Sequence, residues 1–147
     1  MRVPLLIFAL AVSVSVMVVG CARTSPPASS RAVRRAMVVT GYCPCGQCCG
    51  WHRNWLGEPV YSCGPNKGAR KPRGITASGA KAQYGTIAAD TSLYPYGTTM
   101  YVEGYGYGRV EDCGSQIKGN HIDLFFPSHN CAAAWGKKTL RVTVWLR

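Results

Sequence analysis

Apolar and polar residues alternate along Leu140-Arg-Val-Thr-Val-Trp-Leu146, the period of a strand with one face buried. Shorter β-branched or aromatic runs, bounded by glycine or proline, recur upstream. They are Met37 to Tyr42, Thr86 to Ala89, Thr98 to Val102, Tyr107 to Glu111 and Ile122 to Phe126. Tyr107 to Glu111 and Ile122 to Phe126 read as neighbouring strands joined by a glycine-bounded loop. Only Ser128 to Trp135, with its alanine run just past Pro127, favours a helix. The cysteine-rich stretch containing Trp51, His52, Trp55 and Lys67 to Arg73 reads as a long loop. Many short strands with glycine-rich turns predict a mainly β fold: a small barrel or sandwich with a cysteine-rich loop and one short helix.

The amino terminus follows another pattern. Val3 to Val19 is apolar and uncharged behind Arg2, and small residues precede Cys21. This is the grammar of a secretory leader. The Val-Val-Gly-Cys end resembles the lipobox of bacterial lipoproteins, which implies cleavage before Cys21 and acylation of that residue. Residues 21–36 are rich in proline, serine and alanine and carry four arginines. They read as a flexible tether. The organisation expected is a leader over 1–20, a tether over 21–36 and one folded domain over 37–147, acting as a monomer at a bacterial envelope membrane.

Charge narrows the partner. The chain carries 17 Lys and Arg against 6 acids; losing the leader removes only Arg2 and leaves a net +10. Such a charge invites a nucleic-acid reading. Export and the absence of any nucleic-acid-binding motif argue against one. An anionic envelope polymer such as peptidoglycan or teichoic acid fits better, since charge speaks to partners and encounter. No Ser-His-Asp order or His-Glu-x-x-His helix is present. Protease chemistry therefore has no support, and no cofactor is expected.

Eight cysteines stand at 21, 43, 45, 48, 49, 63, 113 and 131. In an exported domain the default is a disulfide framework. The alternative is a soft-metal site built from Cys43, Cys45, Cys48, Cys49 and Cys63, because four thiolates make a closed tetrahedral site. His121 and His129 read as structural or exposed.

The only three aspartates are Asp90, Asp112 and Asp123. A chain this poor in carboxylates that keeps one at each end of a glycine-bounded loop points to a local use. Two carboxylates brought close cannot both ionise freely, so one pKa rises. A carboxylic acid kept protonated can then donate to a glycosidic oxygen.

These residues lie in blocks that resemble a known family. Gly85-x-Ile-Ala-Ala-Asp90, Pro95-x-Gly-Thr-x-x-Tyr-Val102 and Asp112-x-Gly-x-x-Ile-Lys-Gly-x-x-Ile-Asp-Leu124 resemble the 3D, or three-aspartate, domain. With Thr40-Gly-Tyr-Cys43 the resemblance spans about residues 38–147. Ser115-Gln116 and Cys113 depart from the family pattern. The 3D domain is similar to the catalytic barrel of MltA-type lytic transglycosylases. That likeness implies a double-psi β-barrel, peptidoglycan glycan strands as substrate, and 1,6-anhydro-muramoyl products. It assigns Asp123 as general acid/base, Asp112 as its partner in stabilising charge and Asp90 as support. Lys118, Thr76, Ser78 and Trp51 are candidate substrate contacts. The competing expectations are a non-catalytic, expansin-like wall-binding module and a metal or redox protein centred on the cysteines.

Overall fold

The computed structural model describes residues 25–26 and 31–146. The leader and Cys21 lie outside them. Among the described residues no helix is long and apolar enough to cross a membrane.

Among the described residues, eight strands and two short helices follow one another. They are β1 (Ala32–Tyr42), α1 (Gly46–Cys49), β2 (Trp51–Arg53), β3 (Pro59–Tyr61), β4 (Thr86–Ala89), β5 (Thr99–Val102), β6 (Gly106–Asp112), β7 (His121–Phe125), α2 (His129–Trp135) and β8 (Lys138–Trp145). Six strands close a barrel in the order β1-β7-β4-β6-β5-β8, while β2 and β3 form a separate two-stranded sheet. β1 runs parallel to β7, and β4 parallel to β6; the other barrel pairs are antiparallel.

Alternation along the strands builds the barrel interior. Val39, Ile87, Met100, Val110, Ile122, Leu124 and Val142 are completely buried there, at 0% exposure. Full burial of such side chains contributes about 1.5–3 kcal/mol each. Intervening residues face outward, and a second cluster of Tyr42, Ala88 and Phe125 forms on that outer face beneath Cys48, Cys49 and Ala82.

Three differences from the sequence reading matter. β1 begins at Ala32, so residues 32–36, read as tether, form strand paired to β8. Ladder pairing, rather than burial, shapes this largely exposed stretch. The cysteine-rich segment is not simply a loop: it holds the single turn α1 and the β2–β3 pair, elements too short to leave a period in the sequence. Finally, β6 and β7 are not neighbours, because β4 lies between them.

β6 also contains an irregularity that positions the site. Ile87 pairs with Val110, but the next residue, Ala88, pairs with Asp112. Glu111 is thus the extra residue of a β-bulge, a device that re-aims side chains. Without it Asp112 would share the inward face of Val110; with it, Asp112 faces outward beside Ala88. Glu111 is anchored by the Thr86 hydroxyl at 2.8 Å and by Arg109 at 2.6 Å.

Gly108 lets β6 lie close to β4. A Cβ there would meet the Gly85 carbonyl oxygen at 2.8 Å and Ile87 Cδ1 at 2.6 Å. Gly108→Ala should therefore destabilise the barrel by about 1–3 kcal/mol, measured as a lower midpoint in urea unfolding.

Candidate active site

Residues opposite one another on paired strands project from the same sheet face. Thr40 is in register with Asp123, Asp123 with Ala88, and Ala88 with Asp112. One row therefore crosses β1, β7, β4 and β6 on the outside of the barrel. It places the two aspartates on either side of an alanine, two strand spacings or about 10 Å apart at the backbone. The small Ala88 side chain leaves room between them.

Over this row lies a cleft of about 680 Å³. Tyr42, Ala88, Asp112, Asp123 and Phe125 contribute from the barrel; Pro44, Gln47 to Trp51, Lys71 to Ala77 and Cys63 come from the excursion between β1 and β4. Trp51 is held by its indole N–H, which donates to the Pro44 carbonyl at 3.0 Å, and Arg73 stacks over its ring at 4.5 Å. Thr76 is buried and closes a turn by donating to the Ala80 carbonyl at 3.0 Å. Ser78 and Lys118 are not among the lining residues.

The two aspartates in the cleft have contrasting environments. Asp112 is fully engaged: Oδ2 accepts from the Tyr42 hydroxyl at 3.0 Å, and Oδ1 accepts from the backbone N–H groups of Ala77 and Cys113, both at 2.9 Å. The bond to Ala77 also fastens the excursion to the barrel, beside that from Ser78 N–H to the Glu111 carbonyl at 3.1 Å. Asp123 Oδ1, in contrast, is buried with no hydrogen-bond partner among the described residues. Burial pushes the Asp123 pKa up and the Asp112 charge adds to the rise, while Thr40 and His121 oppose it. Burial and the Asp112 charge likewise hold the Tyr42 phenol far above its ordinary range, so it stays a donor.

Asp90 lies elsewhere. It accepts from Gly119 N–H at 2.9 Å and from the Ser92 hydroxyl at 2.7 Å, pinning the turn that leads into β7. Those bonds, with Lys118 nearby, lower its pKa. The structure thus brings Asp112 and Asp123 together and sets Asp90, just past β4, as a brace for the loop between them, which carries Lys118.

The disulfide framework expected from the sequence is not formed among the described residues: all seven of their cysteines are free thiols. Cys43, Cys45 and Cys48 instead converge on His129, whose sequence context alone reads as structural or exposed. Cys49 points back to the Cys43 carbonyl at 3.2 Å, its thiol pushed up to about 11 chiefly by burial. Cys63 is exposed at the cleft edge. The only advance signal for His129 was its place at the start of the predicted helix; nothing in its spacing ties it to cysteines 81 to 86 residues away.

Residues 85–146 match the family model of the 3D domain, as their aspartate blocks suggested; Thr40 to Cys43 falls outside that match. Among curated proteins, the putative cell wall shaping protein YabE of Bacillus subtilis (strain 168) is 48% identical over 58 residues, 40% of this chain and 14% of that protein. The cell wall-binding protein YocH of the same organism is 44% identical over 75 residues, 48% of this chain and 26% of that one. The chain spans about a quarter or less of the length of these relatives. Among solved structures, E. coli MltA is 25% identical with a TM-score of 0.41, covering 48% of this chain and 26% of that one. E. coli MltA with bound chitohexaose is 24% identical with a TM-score of 0.42, covering 50% and 28%.

The contrasting environments predict opposite titration. Carboxyl-carbon NMR should place Asp123 above the ordinary aspartate value of 3.8 and Asp90 below it. A folded state that holds the Asp123 proton longer loses stability as pH rises from the ordinary value through the folded pKa. The Asp90 contribution is present above the ordinary value and lost as pH falls through its lower folded pKa. Urea midpoints measured against pH should show the first decline in the wild type and not in Asp123→Asn.

Proposed function

Taking the 3D-domain match over residues 85–146 as premise, we propose that the chain is a peptidoglycan-cleaving lytic transglycosylase with Asp123 as general acid/base. The observation that carries this reading is the buried, unpartnered Oδ1 of Asp123 in a cleft shared with a fully hydrogen-bonded Asp112. Burial favours the protonated form of Asp123, and the residue lines the cleft with no protein hydrogen bond spent on Oδ1 among the described residues.

The reaction follows from these roles. Protonated Asp123 donates to the glycosidic oxygen on the reducing side of N-acetylmuramic acid, and the carbon–oxygen bond breaks with positive charge developing on the muramoyl ring. The Asp112 carboxylate, oriented by its three donors, stabilises that charge. The sugar's own 6-hydroxyl then attacks the anomeric carbon and returns its proton to Asp123. No water is consumed, and the product ends in a 1,6-anhydro ring. Trp51 and Thr76 line the cleft where the glycan would lie, and the net positive charge suits an anionic wall. Acylated Cys21 would hold the domain at the envelope membrane.

A second reading, wall binding without cleavage, is favoured by the composition of the cleft margin. Arg73 over Trp51 and Lys71 over Tyr61, at 4.4 Å, make a cationic and aromatic wall suited to an anionic polysaccharide.

Mass spectrometry of fragments released from purified peptidoglycan by the full chain separates the readings. Fragments ending in 1,6-anhydro-N-acetylmuramic acid are expected, with Asp123→Asn slowing their release by about 10²–10⁴-fold. Reducing-end fragments would mean hydrolysis. Polymer binding by folded protein with no release would establish the binding module.

A further inference from the structure

Four soft donor atoms meet where β1 and β7 end. Cys43 Sγ lies 3.7 Å from Cys48 Sγ, and His129 Nδ1 lies 4.0, 3.7 and 3.5 Å from Cys43, Cys45 and Cys48 Sγ. All four atoms fall within 4.8 Å of one another. A tetrahedral zinc with Zn–S near 2.3 Å and Zn–N near 2.0–2.1 Å requires ligand separations of about 3.8 Å between sulfurs and about 3.6 Å between sulfur and nitrogen. The four distances given lie within about 0.4 Å of those edges.

We propose that Cys43, Cys45, Cys48 and His129 form a structural site for zinc or a similar soft divalent cation.

The fold explains how residues so far apart in sequence converge. β1 and β7 are parallel, with Tyr42 opposite Phe125, so both strands leave the barrel at the same end. Cys43 follows the first directly, and α2 begins at His129 just after the second. Gly41 permits the close packing of α2, since a Cβ there would meet the Ala132 carbonyl oxygen at 3.1 Å and the Phe126 ring at 3.0 Å. The one-turn helix α1, capped at Cys45, folds Cys48 back toward Cys43.

The donor set indicates a structural role. Three thiolates and one imidazole fill a tetrahedral shell and leave no open position for water or substrate. On binding, the three thiols lose their protons to solvent and neutral His129 supplies a nitrogen lone pair, leaving one net negative charge on the cluster. Cys49 and Cys63 are not ligands. Pro44 and Cys48 also line the cleft, so the cation would brace one wall of it. This assignment is independent of whether the cleft cleaves glycan.

The test uses the full chain in detergent, reduced and freed of metal. Uptake of one zinc per chain is expected by elemental mass spectrometry, and cobalt(II) should give the intense visible bands of tetrahedral thiolate coordination. His129→Ala and Cys45→Ser should weaken zinc binding beyond the roughly 10–100-fold that loss of an outer hydrogen-bond partner costs. Cys63→Ser and Cys131→Ser should bind as the wild type does. His129→Cys should keep the metal with a cobalt spectrum shifted toward four thiolates, separating loss of a ligand from loss of fold. Failure of the reduced, folded chain to take up zinc, undiminished affinity in His129→Ala, or an equal loss in Cys63→Ser would overturn the assignment.

Discussion

The parallel pairing of β1 with β7 is the constraint on which the rest of the molecule depends. Five successive residues of each strand are in register, from Val38 with His121 to Tyr42 with Phe125. Parallel strands cannot be joined by a tight turn and need a long crossover. The chain between them is long enough to build three more barrel strands and the whole cysteine-rich excursion. The same pairing sets Thr40 beside Asp123 on the outer face, closes Val39 and Ile122 into the core, and delivers two chain ends to one edge. Cleft and cysteine cluster are thus two products of one ladder.

The cleft is assembled from parts of different character. Its floor is barrel, held by ladder hydrogen bonds and a fully buried core. Its walls belong to the excursion between β1 and β4, which is stapled down through few polar contacts, two of them to Asp112 and the Glu111 carbonyl. A hydrogen bond to a charged group contributes about 1.5–3 kcal/mol, so the Asp112 bond to Ala77 N–H is a substantial part of that attachment. Asp112 is therefore an architectural residue as well as a cleft residue, whereas among the described residues no hydrogen bond depends on Asp123 Oδ1.

Much of the barrel was legible in the chain. Thr86 to Ala89 reads as a strand from its β-branched start and apolar run, and β4 occupies those residues. The alternation in Leu140 to Leu146 marks β8, and the alanine run marks α2. What was hidden depends on partners rather than on local pattern. Ala32 to Ala36 has no apolar period and is a strand because β8 pairs with it. That β4 separates β6 from β7 is a property of sheet order, on which strand composition is silent. The site was half legible: Asp112 and Asp123 stood out because acids are scarce, and they do share a cleft. Asp90 appeared to belong with them, yet it pairs with Ser92 in its own turn after β4 and with the Gly119 N–H before β7. The cysteine and histidine convergence was illegible because its last member arrives through tertiary contact.

The bulge at Glu111 has a consequence beyond this one strand. Inward or outward facing along a strand is a parity, decided by counting residues rather than by their chemistry. β6 keeps one parity while Val110 fills the core and switches to the other in time to present Asp112. A barrel of this kind can therefore gain or lose the second member of its carboxylate pair by insertion or deletion of a single codon, with every side chain otherwise unchanged.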